Sequence, residues 1–368
     1  MSILSSWLRL GGLAPKKLEP CPCVSHDSLA IVEKAEVLRD QKLEERAAQV
    51  QNLVRRIVDT HAALLRLPHL RPGKIINQLL GDLVTLCSEI YDREVIDAVL
   101  SHPDLTAILP SLRQICAQAE SCLELHWAEH IIAGGPHPDD VLSRLRSFPY
   151  YDNYEELTRL ELCAILSATK LAPRRVAFIG SGPLPLTSLC LLKALKHDAQ
   201  LARLSSKDEP ASTQHSDPIV LNIDCDASAI AASLALCLAL GETARGMEFV
   251  CAEATAPILP ASSTTTATRD AESNTGSTTR DLAEFDLVYM AALVGMSQAD
   301  KERIIRRIAE RMRPGALLVA RSSWGMRTCL YPEVDLATEG LRDKLECCVV
   351  VHPYGQVVNS VIVAKVRG

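Results

Sequence analysis

What most constrains this chain is the change of texture that follows Pro149. From there, short β-branched and apolar runs alternate with helical patterns. Strands are expected at 175–179, 219–223, 247–251, 285–290 and 316–321, and helices at about 184–196, 227–240, 298–312 and 335–342. Consecutive strands separated by a helix pair in parallel, so the alternation predicts a doubly wound sheet of the α/β class. Two last strand patterns, 345–352 and 358–366, joined through His352-Pro-Tyr-Gly355, predict a closing hairpin.

The first 150 positions read as almost entirely helical. Ile31, Ala35, Leu38, Leu43, Val50, Leu53 and Ile57 recur at helical spacing between about 28 and 67, the mark of an amphipathic helix or helix pair. Pro68 and Arg71-Pro72-Gly73 end it. Further patterns cover about 75–89, 93–100, 105–132 and 138–146. The expected organisation is a loose N-terminus (1–27), an all-α helical domain (28–150) and a Rossmann-like domain (151–368). The stretches 204–217 and 260–280 are polar and aperiodic. They cannot bury enough apolar surface to offset ordering entropy and read as disordered insertions.

Several function classes are disfavoured. A net charge of −6 over 368 residues leaves no basic footprint for nucleic acid. No charge-free apolar run reaches the length of a membrane span. The most apolar stretch, Ala227 to Leu240, reads as a buried helix. Cysteines number thirteen, and Cys87, Cys163, Cys190, Cys237 and Cys251 sit in apolar patterns. Reduced thiols in a cytoplasmic protein are the simplest reading. Cys21-Pro-Cys23 and Cys347-Cys348 lack metal-site spacing, and the His126, His130, His137, Asp139, Asp140 group is irregular. No metal is therefore expected, and the oligomeric state is left open.

Chemistry enters at the first strand. Val176-Ala-Phe-Ile-Gly-Ser-Gly-Pro-Leu-Pro-Leu-Thr-Ser188 runs from strand through Gly180-Ser181-Gly182 into a helix. Glycines there let a nucleoside approach the backbone. The next strand ends in Asp224, placed to accept hydrogen bonds from ribose hydroxyls, while Asp226 suits a helix N-cap. Glu253, past the third strand, either reaches an adenine amino group or is solvated. Pro183 and Pro185 remove N–H groups that a pyrophosphate would use. That favours S-adenosylmethionine over a dinucleotide, and the closing hairpin is, by analogy, the usual ending of S-adenosylmethionine-dependent methyltransferase sheets.

Longer blocks carry a resemblance. Phe178-Ile-Gly-Ser-Gly-Pro-Leu-Pro-Leu-Thr-Ser188, Tyr289-Met-Ala-Ala-Leu-Val-Gly-Met296, Met312-Arg-Pro-Gly-Ala-Leu-Leu318, Arg321-Ser322, Gly325 and Leu330-Tyr-Pro332 resemble blocks of the nicotianamine synthases. In the helical half, Asn77 to Cys87, Glu120, Leu123-Glu-Leu-His-Trp127 and Phe148-Pro-Tyr-Tyr-Asp-Asn-Tyr154 are similar to family blocks in family order. The chain departs at Trp127, where Phe is usual, at Ser323-Trp324, where Ala-His is usual, and in the two insertions.

The resemblance implies an aminocarboxypropyl transferase. It would condense three S-adenosylmethionine molecules into nicotianamine, release 5′-methylthioadenosine, and serve metal homeostasis through the chelating product. It implies Glu124 as general base with Tyr150 as its hydrogen-bonding partner, and a cofactor edge of Gly180, Ser181, Gly182, Asp224, Glu253 and Ala291. Tyr151 and Tyr154, in a loop at the domain junction, and Arg321 would contact small-molecule substrate. On its own, Glu124 reads as a solvent-facing helix residue; the tyrosines could be interface packing, but three of seven within five residues at the domain junction favour a cleft. Arg321 and Arg327 read equally well as carboxylate clamps or surface charges. The alternatives are a methyltransferase on a small molecule, a related transferase making a different metallophore, and a non-catalytic metabolite-binding protein.

Overall fold

The computed structural model describes residues 26–170, 172–205, 217–256, 281–355 and 357–368. The expected loose N-terminus and both expected insertions lie, but for their edges, outside the described residues. The chain divides into two units, Met1–Val50 and Gln51–Gly368. The first holds the amino-terminal part of helix α1 (His26–Leu65), where Leu38 and Leu43, expected on an apolar face, are exposed. Everything that follows belongs to the second unit.

In that unit α1 buries Leu53, Val54, Ile57 and Leu64 at helical spacing. Five helices precede the sheet: α2 (Lys74–Ser88), α3 (Arg93–Leu100), α4 (Pro103–Ala133), α5 (Pro138–Arg146) and α6 (Tyr151–Ala168). Pro103 opens α4, where a missing N–H costs nothing, and Pro110 lies within it. Helix α6 corrects the expected loop at the tyrosine cluster. Leu157, Thr158, Glu161, Ala164 and Ile165 are its buried residues, a helical face made less apolar by Thr158 and Glu161.

The sheet has seven strands: β1 (Arg175–Ile179), β2 (Ile219–Asp224), β3 (Met247–Cys251), β4 (Leu287–Met290), β5 (Leu317–Ser322), β6 (Leu345–Val351) and β7 (Ser360–Val366). Their order is β3-β2-β1-β4-β5-β7-β6. The first five pair in parallel, and β7 inserts antiparallel between β5 and β6, as the closing hairpin predicts. Helices α7 (Leu186–Ser205), α8 (Ala227–Leu240), α9 (Gln298–Ala309) and the single turn α10 (Glu339–Arg342) make the crossovers.

Residues 176–179 of β1 are buried on both faces, as a covered parallel strand requires. Ala177 and Ile179 face a layer with Ile304, Ile305 and Ile308 of α9. Val176 and Phe178 face Leu157 and Ile165 of α6 and Leu191, Leu192 and Leu195 of α7. Each such aliphatic side chain contributes about 1.5–3 kcal/mol on burial. Helix α8 departs from the expected buried helix: it packs on α4, β2 and β3, but Leu234 and Leu238 are exposed. Cys87, Cys190 and Cys237 are buried free thiols, whereas Cys163 and Cys251 are exposed. Strand β1 pairs with β2 on one side and β4 on the other, so the order reverses beside it. Ligands of open α/β sheets bind in the crevice at such a switch point.

Candidate active site

The crevice forms where β1 ends. Gly180 and Gly182 adopt left-handed φ values of 79° and 67°, which a side chain would resist. A Cβ on Gly180 would overlap the Val294 side chain, and one on Gly182 would lie 2.5 Å from Oε2 of Glu124. The turn is tied down on all sides. Gly180 N–H and Ser181 N–H donate to the Ile223 carbonyl at 2.8 and 3.3 Å, and Ser233 Oγ donates to the Gly182 carbonyl at 2.6 Å. Ala291 N–H donates to the Ile179 carbonyl at 3.0 Å, bringing the segment after β4 against the same turn.

Asp224, at the end of β2, accepts Gly182 N–H at 2.9 Å and Asp226 N–H at 3.0 Å. Each oxygen keeps a further lone pair for a hydroxyl donor. Asp226 caps α8, its carboxylate accepting Ser228 N–H at 2.8 Å. A cavity of about 370 Å³ opens here, lined among others by Gly180, Ser181, Gly182, Asp224, Glu253 and Ala291. Ser181 Oγ is buried in its wall without a hydrogen-bond partner. A glycine cradle, an acid at the second strand end and an orphaned hydroxyl fit a nucleoside-bearing ligand without phosphate.

A second, larger cavity of about 530 Å³ lies against the first. Its lining includes Ile76, Leu80, Trp127, Phe148 and Tyr150, and the two cavities share Glu120, Glu124, Tyr154, Arg321 and Asn359. Tyr150, Asn153, Tyr154 and Leu157 all line the larger one. They fall at i, i+3, i+4 and i+7 and so share one face at the start of α6. Tyr151 points elsewhere: it lines neither cavity, packs among Leu145, Phe148 and Leu189, and donates its hydroxyl to Glu155 at 3.3 Å. The expected substrate contact at Tyr151 is thereby corrected by the helical period.

The partner of Glu124 is likewise corrected. Tyr154, not Tyr150, donates its hydroxyl to Glu124 Oε1, at 2.8 Å. Tyr150 remains 46 % exposed, its ring against Phe148. Burial, reinforced by the Glu120 carboxylate, pushes the Glu124 carboxyl up to about 8, while the Tyr154 hydrogen bond and Arg321 pull against that rise. Glu120 stands one helical turn before Glu124 and accepts the Tyr331 hydroxyl at 2.8 Å. Burial raises its carboxyl as well.

Arg321 is engaged with the protein through Nε and Nη2. Its Nε and Nη2 donate to Glu161 at 2.7 and 3.2 Å, and Nη2 also to Thr187 Oγ1 at 2.8 Å. It lines both cavities, and its charge is matched by the buried Glu161 carboxylate. Arg327 lines neither cavity and donates to the carbonyls of Ser88 and Gly355 at 3.2 Å. His126 lines the larger cavity, and among the described residues no cluster of side chains could hold a metal ion.

Sequence reasoning gave no role to Asn359, Tyr331 or Lys301. Asn359 Nδ2 is buried without a partner where the cavities meet. A polar residue within the apolar run Val357-Val-Asn-Ser-Val361 was its signal. Lys301 is completely buried and donates to the carbonyls of Ala292 at 2.7 Å and Val294 at 3.2 Å. Its signal in the sequence was helical phase, which puts it on one face with Ile304, Ile305 and Ile308.

A family model described as nicotianamine synthase protein matches residues 45–260 and 264–368. This chain belongs to the nicotianamine synthase family. Nicotianamine synthase 3 of Oryza sativa subsp. indica is 32% identical over 336 residues, 91% of this chain and 84% of the relative. The probable nicotianamine synthase 4 of Hordeum vulgare is 34% identical over 319 residues, covering 86% and 82%. Among solved structures, MtNAS in complex with MTA and tNA matches with a TM-score of 0.61 at 20% identity, over 86% of this chain and 98% of that one. That likeness gives this nicotianamine synthase family member the same fold. Several of the family blocks read in the sequence contribute to the two cavities, among them Glu120, Glu124, Gly180, Ala291 and Tyr331.

Proposed function

We propose that this chain condenses S-adenosylmethionine into nicotianamine, with Glu124 as the base for each transfer. One observation carries the reading: a carboxylate–phenol pair stands where a nucleoside-type cavity meets a larger one, in a chain of this family.

The donor fits the smaller cavity, its adenosine held by the glycine turn, Asp224 and Glu253. Its sulfonium and aminocarboxypropyl arm extend toward the wall shared with the larger cavity, which takes the acceptor amine. The amine attacks the methylene next to sulfur. A nitrogen–carbon bond forms, the carbon–sulfur bond breaks with its electron pair going to sulfur, and the proton passes to Glu124. The sulfonium is already a good leaving group, so the protein's task is alignment and proton removal. A base with its carboxyl near 8 is matched to ammonium deprotonation. Tyr154 orients that base, and Arg321, through Glu161 and Thr187, stiffens the wall behind it.

The chelating product supports a role in metal homeostasis, and the free thiols among the described residues support a cytoplasmic location. Mass spectrometry of products from purified protein and S-adenosylmethionine alone tests the reaction. Methylthioadenosine with nicotianamine is expected. S-adenosylhomocysteine would mean methyl transfer, and a different amine would mean another metallophore. Localisation is checked by fractionating cells that express the untagged chain.

A further inference from the structure

Two carboxylate–phenol pairs stand on one helix of this site, and the mechanism above uses only one. Glu124 accepts Tyr154 and lies against Gly182 of the donor cavity. Glu120 accepts Tyr331 and lines both cavities without approaching that glycine turn as a neighbour. Side chains four residues apart on a helix have Cβ atoms about 5–6 Å apart.

The growing product has a matching period. Each aminocarboxypropyl unit separates successive nitrogens by three carbons, and four bonds of about 1.5 Å, in zigzag, set them about 5 Å apart. A nitrogen held at Glu124 therefore places its neighbour at Glu120. The charge balance agrees: the nearby cation Arg321 is bonded to Glu161, so neither carboxylate is neutralised by direct contact with it. Two further groups in the same walls await a ligand, the buried hydroxyl of Ser181 and the amide nitrogen of Asn359. Both are hydrogen-bond donors, as the α-carboxylates of donor and chain require.

We propose that Glu120 binds the ammonium one aminocarboxypropyl unit away from the nitrogen that Glu124 deprotonates, and so sets the register of the growing chain. This rests on the transferase reading above. In the first transfer the acceptor has a single amine, and Glu120 has no second nitrogen to hold. Thereafter the chain carries two, one for each carboxylate.

The test is the product split from S-adenosylmethionine alone, with methylthioadenosine and the amines quantified together. In Glu120→Gln, methylthioadenosine release continues at a reduced rate, the single-transfer amine accumulates, and nicotianamine falls at least about tenfold further than methylthioadenosine, as loss of a charged hydrogen bond implies. Tyr331→Phe, which removes only the phenol that orients Glu120, shifts the split in the same direction but less. An unchanged ratio of nicotianamine to methylthioadenosine in these variants overturns the proposal, whether the rates fall together or stay at the wild-type level. Should Glu120→Gln fail to fold, Tyr331→Phe decides alone. Wild-type protein that releases no methylthioadenosine overturns the parent reading, and that control is read before either variant.

Discussion

Glu124 is a carboxylate whose buried surroundings lift its pKa to about 8, the range the proposed base needs. Activity should rise with pH through about 8 as the carboxyl ionises, read as the acid limb of kcat/KM. Tyr154 donates to the ionised form and holds the value down, so Tyr154→Phe should move that limb to higher pH. Glu124→Gln should lower turnover by about 10²–10⁴ while cofactor affinity by calorimetry falls far less. The same carboxyl, raised from 4.5, binds its proton more tightly in the folded state than in the unfolded. Its contribution to stability is thus complete below 4.5 and is lost as pH rises through about 8, a fall in melting temperature that Glu124→Gln should remove. The burial of Glu124 was not legible from its own neighbourhood, which reads as solvent-facing, and neither was its phenol partner. Choosing Tyr154 over Tyr150 requires knowing that α6 begins at Tyr151, because only helical phase separates the tyrosines that face the cavity from the one that does not. Asn359 was illegible for a different reason: its meaning lies in having no partner, which only packing reveals.

At the scale of elements, the segment after β4 depends on a buried charge. Lys301 reaches from α9 to the carbonyls of Ala292 and Val294, both on the lining of the donor cavity. Lys301→Met keeps the volume and removes both donors, so affinity for S-adenosylmethionine should drop about tenfold by calorimetry, with kcat at saturation little changed. The glycine turn is equally demanding. Gly182→Ala places a side chain at φ 67° and against the Glu124 carboxylate. The left-handed geometry alone costs roughly 1–2 kcal/mol, and the displaced base should lower turnover as well as binding. The strands were legible almost to the residue, because buried parallel strands are short apolar runs cut off by glycine and charge. Helix α6 was not, because Thr158 and Glu161 occupy its buried face. The helix expected at 335–342 shrinks to Glu339–Arg342, since a polar stretch of that length has little apolar face to dock.

For the molecule as a whole, one ion pair fastens three elements. Glu161 of α6 and Arg321 of β5 meet at 2.7 Å, with Thr187 of α7 completing the contact. Removing one partner of such a buried pair leaves an uncompensated charge, so Glu161→Gln should cost about 3–5 kcal/mol in urea unfolding. Among the described residues, the wall between the cavities presents the carboxylates of Glu120 and Glu124, and its cation, Arg321, is paired with Glu161. A sulfonium arriving there carries positive charge and favours their ionised form. The thioether left after transfer carries none. The wall that attracts the donor therefore has little electrostatic hold on the spent nucleoside, and added methylthioadenosine should compete only weakly with S-adenosylmethionine.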